Sequence, residues 1–85
     1  MEMRRVEHEL LETIGAYARH LPAEQVKEMT ELVNAGEPGV AFENLCTQLF
    51  EYDVSVEDRA MGKLRGIGDA MGLHPKYWER LKVSK

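Results

Sequence analysis

Cysteine is nearly absent from this chain, and histidine is thinly scattered. One cysteine, Cys46, leaves no internal disulfide to form. The three histidines, His8, His20 and His74, lie far apart with no pair at metal-ligand spacing, so no metal site is expected. No run approaches the roughly 20 apolar residues that span a bilayer. The opening Met-Glu-Met-Arg-Arg leads into a mixed, charged segment and not into the apolar core of a leader. The expectation is a cytoplasmic protein with no membrane partner. Cations are not in surplus either: the formal net charge is −4, which argues against a general nucleic-acid binder.

Catalytic groupings are missing in the same way. A nucleophile needs a base and an orienting acid beside it. Cys46 falls on an apolar helical stripe, Ser55 reads as a helix cap and Ser84 lies in the tail. The carboxylates read as solvated, with no pocket to raise one pKa above another. Gly66, Gly68 and Gly72 only loosely resemble a dinucleotide-binding fingerprint, which requires a preceding strand and a βαβ unit that the sequence lacks. The reading is therefore not an enzyme, with no cofactor, no metal and no small-molecule substrate.

What the chain does contain is helical periodicity. With 44% apolar and 31% charged residues in 85, it suits one small domain spanning residues 1–85. Met3, Val6, Leu10, Ile14, Tyr17 and Leu21 recur at three- and four-residue steps, predicting a helix over about 3–20. Pro22 suits the first position of a second helix carrying Val26, Met29, Leu32 and Val33, which ends near Asn34-Ala35-Gly36. A third runs from Glu37-Pro38-Gly39 to about Tyr52 with Phe42, Leu45, Cys46 and Leu49 inward. Ser55 with Asp58 reads as a capping box opening a fourth helix, which shows Val56, Ala60, Leu64, Ile67 and Met71 and stops at Gly72-Leu73. Its interior glycines, Gly62, Gly66 and Gly68, point to close helix contact or to a break near Gly66. A last short helix holds Tyr77, Trp78 and Leu81. No stretch alternates long enough to compete as a strand. The fold class is all-α, a compact bundle of four to five short helices.

Charge is unevenly distributed. Residues 37–58 hold six acids and no Lys or Arg, whereas residues 59–85 hold seven bases against Asp69 and Glu79. Segregated charge creates a local field that steers association with an oppositely charged partner. Helical spacing puts Glu43, Thr47 and Glu51 on one face with Asn44 and Gln48, opposite the Phe42–Leu45–Leu49 stripe. Glu37 precedes this face, Tyr52 and Asp53 follow it, and Glu57 and Asp58 open the next helix. These ten residues are the candidate partner-binding set. Glu57 and Asp58 also suit the positive end of a helix dipole, and Tyr52 reads equally as core edge or as an interface anchor.

The segments EPGVAFENLCTQLFEYDVSV at 37–56, IGDAMGL at 67–73 and YWERL at 77–81 resemble the small MafI-type bacterial immunity proteins. The resemblance covers about the last 50 residues. It implies a cytoplasmic antidote that binds the C-terminal domain of a polymorphic toxin, often a nuclease with a basic cleft. It points to Glu43, Asn44, Glu51, Tyr52 and Asp53 for partner contact, and to Phe42, Leu45, Leu49, Met71 and Leu73 for packing. Size, helicity and acidity are also similar to colicin-type immunity proteins, by analogy alone. The expectation is an immunity protein that neutralises a toxin domain through an acidic face. An alternative is a helical adaptor taking a partner helix in an apolar groove. A small DNA-binding regulator using the basic C-terminal third ranks below both.

Overall fold

A computed structural model describes residues 2–84. Helix α1 (Met3–Tyr17) tightens into a 3₁₀ turn over Ala18–His20, so the predicted 3–20 helix ends in a narrower last turn. Helix α2 (Ala23–Asn34), α3 (Pro38–Glu51), α4 (Asp58–Ala70) and the single-turn α5 (Lys76–Glu79) follow. Helix α1 lies at the centre and packs against α2, α3 and α4, while α5 closes over α3 and α4. The architecture is the all-α bundle expected, and none of its helices is long and apolar enough to cross a membrane.

The apolar stripes meet in one core. Leu10, Ile14, Leu45, Leu49, Leu64, Ile67 and Trp78 are all buried, together with Val6, Met29, Phe42 and Cys46. Met3, expected on the first stripe, is half exposed because it lies ahead of the first inward turn. The Trp78 ring stands edge-on to Phe42, with centroids 5.9 Å apart, and lies flat enough on α4 that a side chain at Gly68 would strike it. Gly68 thus answers to close helix contact. Gly62 and Gly66 do not: α4 runs unbroken through both, and open space surrounds them.

Three consecutive helices stop in the same way. After α2, Gly36 at φ +82° sets up two closing bonds, from the Gly36 N–H to Val33 and from the Glu37 N–H to Leu32. Gly72 at φ +68° does the same after α4, with the N–H of Leu73 reaching the Gly68 carbonyl. These are the Schellman stops that the glycines predict. Helix α3 ends identically, but its left-handed residue is Asp53 at φ +54°, with the Val54 N–H bonded to the Leu49 carbonyl at 3.0 Å.

The start of α4 differs from expectation. Ser55 and Asp58 form no capping box: the N-cap residue is Glu57, in extended conformation and without a side-chain cap. Val56–Glu57 instead forms a two-residue strand, β1, paired in parallel with β2 (Val83–Ser84), in register Val56 with Val83 and Glu57 with Ser84. The Val56 N–H donates to the Lys82 carbonyl at 2.8 Å. Backbone pairing over residues 56–57 delays the helix to Asp58, and two residues are too few to leave a period-two signal. Val56 is buried as expected, but from a strand. Pro22 likewise sits one place earlier than expected, as the N-cap residue of α2.

Candidate partner-binding site

The ten candidate residues fall into four groups along the chain. Glu37 is the exposed N-cap residue of α3, and at 1.5 Å per residue it lies roughly 20 Å from the far end of that helix. Glu43, Asn44, Thr47 and Gln48 are half-buried along α3, not fully solvated. Glu51, Tyr52 and Asp53 are exposed at its C-terminal end, and Glu57 and Asp58 are exposed at the start of α4. The outward line of α3 also includes Val40, half exposed. The set is therefore not one continuous acidic face. Its most open part is the Glu51–Asp53 end.

The basic C-terminal segment accounts for the difference. Sequence position separates it from the acidic third, yet the fold lays it across α3. The Tyr77 hydroxyl lies beside the Glu43 carboxylate, and hydrogen bonding to that carboxylate holds the phenol pKa above its usual value. Glu43 thus faces the Tyr77 phenol and is not open to solvent on all sides. The Arg80 guanidinium sits 4.2 Å from the centre of the Phe50 ring, a cation–π contact on a half-exposed aromatic. Lys82 Nζ lies 2.7 Å from Asp53 Oδ1. A shallow groove of about 270 Å³ runs between these pairs, with Leu49 and Val54 beneath and Phe50, Asp53, Arg80 and Lys82 around it. The field expected from a −6 middle third is thereby partly cancelled within the molecule.

Tyr52 is resolved. At 53% exposure it is not core edge; it stands in solvent between Glu51 and Asp53. Gln48 is the opposite case, with Oε1 buried and lacking a hydrogen-bond partner among the described residues. Glu57 is tied to α1: its backbone N–H donates to the Tyr17 hydroxyl at 3.2 Å. It lines a separate groove of about 210 Å³ between α1 and α4, where Glu12, Arg19, Arg59 and Lys63 mix both signs of charge. With charges of both signs around it, this groove is not the apolar trough that a partner helix would need.

Cys46 is buried, and that burial pushes its thiol up to about 12; the Arg80 guanidinium opposes this shift and the Glu43 carboxylate adds to it. It is protonated at neutral pH, as befits a small core residue. Among the described residues no group of three or more acidic, His or Cys side chains could hold a metal ion.

Phe50, Tyr77, Arg80 and Lys82 were outside the candidate set. Their role depends on a contact between segments some 30 residues apart, for which periodicity carries no signal. The one available hint was the sign reversal between residues 37–58 and 59–85. Comparison with protein families, with characterised proteins and with solved structures finds no match to this chain.

Proposed function

We propose that this protein is an immunity protein that binds and neutralises the C-terminal domain of a toxin, a nuclease whose cleft is basic. The observation that carries the reading is Tyr52, an aromatic side chain more than half exposed and flanked by the exposed carboxylates of Glu51 and Asp53. A large rigid ring at the centre of a charged rim is the arrangement from which interfaces draw most of their affinity. The carboxylates would steer the encounter and stand where nucleic-acid phosphates otherwise bind, while Tyr52 would slow dissociation. The resemblance of residues 37–56 to MafI-type immunity proteins supports the same assignment.

Within this reading the contact is centred on the Glu51–Asp53 end of α3, and Glu37, Glu43 and Gln48 contribute little. The test is co-expression with the toxin domain encoded alongside. Glu51→Lys combined with Tyr52→Ala should abolish protection of the host cell while the protein stays folded, because both side chains are exposed. Full protection by that double variant would refute the assignment.

A further inference from the structure

We propose that residues 82–84 form a peelable strap, in which Lys82 occupies on Asp53 the place taken by a cation of the partner when it docks. This rests on the functional reading above, and it names the chemistry recognised at that corner: a lysine borne on an extended segment.

The C-terminal segment has two parts that are held very differently. Trp78 and Leu81 are buried, 3% and 7% exposed, so α5 is fixed to the core. Beyond Leu81 the described side chains, Lys82, Val83 and Ser84, are all exposed. Among the described residues this end is held by the bond from the Val56 N–H to the Lys82 carbonyl, the two-residue pairing of β2 with β1 and the Lys82–Asp53 ion pair, with β2 also lying against α4. The lysine and aspartate side chains are 66% and 71% exposed, so solvent screens their attraction. A two-residue ladder whose only buried side chain, Val56, belongs to β1 and not to the strap makes a marginal sheet. Such an element opens locally while the bundle stays folded.

Opening has a defined consequence. It releases the Asp53 carboxylate from its ion pair and the Val56 N–H from its bond together, on a corner that already accepts a lysine-bearing segment from its own chain. The strap and the partner thus compete for one site, and the strap lowers apparent affinity by the fraction of molecules in which it is closed.

Two measurements on the full chain test this. Amide hydrogen exchange should show Val56 exchanging far faster than the core amides of Leu10 and Leu64; exchange only on global unfolding would overturn the proposal. Decalysine, titrated by ¹⁵N NMR, should shift the amides of residues 53–57. Lys82→Ala should tighten that binding by up to about fivefold, the ceiling for an exposed pair. Lys27→Ala removes the same charge from an exposed position on α2. An equal gain in both variants would reduce the effect to net charge, and no shift at residues 53–57 would remove the site; either result overturns the proposal. Neither readout uses the toxin, so failure here is distinct from failure of the functional reading.

Discussion

Gly68→Ala offers a quantitative test of how the C-terminal helix is seated. A Cβ at this position would fall 2.6 Å from Trp78 Cη2 and 2.9 Å from Cε3, well inside van der Waals contact. The ring cannot simply withdraw, because it is 3% exposed and held edge-on by Phe42. Inserting a methyl group into such packing costs about 1–3 kcal/mol, while replacing glycine in a helix interior returns about 1 kcal/mol. The net expectation is a destabilisation of up to about 2 kcal/mol. Gly62→Ala and Gly66→Ala, with open space around the new methyl, keep only the gain of up to about 1 kcal/mol each. For a domain of this size, 1 kcal/mol moves Tm by about 4–8 °C. Urea unfolding followed by circular dichroism and by fluorescence of the single Trp gives both quantities. If Gly68→Ala proved as stable as Gly62→Ala, Trp78 would not lie against α4 and the α5 docking would be wrong.

Leu49→Ala should cost about 2–5 kcal/mol in chemical denaturation, because Leu49 is fully buried at the end of α3. Cys46 should resist alkylation at pH 8 in the native protein and react readily in denaturant. Its raised pKa also fixes a sign: between the ordinary thiol value of 9.0 and about 12 the unfolded chain loses a proton that the folded one keeps. A pH series of urea melts should therefore show stability falling through that window, whereas an unchanged midpoint would contradict the burial. Asp53→Gly should leave Tm unchanged or raise it, because relief of the left-handed backbone, about 1 kcal/mol, matches or exceeds the loss of one exposed ion pair.

The contrast between Gly72 and Asp53 shows where sequence reading succeeds and where it stops. Gly72-Leu73 announced a left-handed stop because glycine adopts positive φ without penalty. Asp53 makes the same stop, yet as an acid among acids it reads as surface charge. The apolar stripes of α1, α3 and α4 were legible because burial imposes helical spacing on Leu10, Leu45 and Leu64 alike. Ser55 and Asp58 misled because the capping pattern is local, whereas the pairing of Val56 with Val83 crosses most of the C-terminal half. The surroundings of the acidic set are hidden from the sequence for the same reason. Helical spacing placed Glu43 outward from the Phe42–Leu45 stripe, but only the folded chain brings Tyr77 to its carboxylate and Lys82 to Asp53.

Calorimetric titration of this protein with the toxin domain that the proposed function requires, at two salt concentrations, bears most directly on the central claim. A basic cleft closed by Tyr52 and its flanking carboxylates predicts one-to-one binding that weakens as salt rises. It also predicts that Glu51→Lys with Tyr52→Ala loses at least about 2 kcal/mol of binding free energy, as removal of a central anchor does. Binding that is indifferent to salt and unchanged in the double variant would place the interface elsewhere and contradict the account.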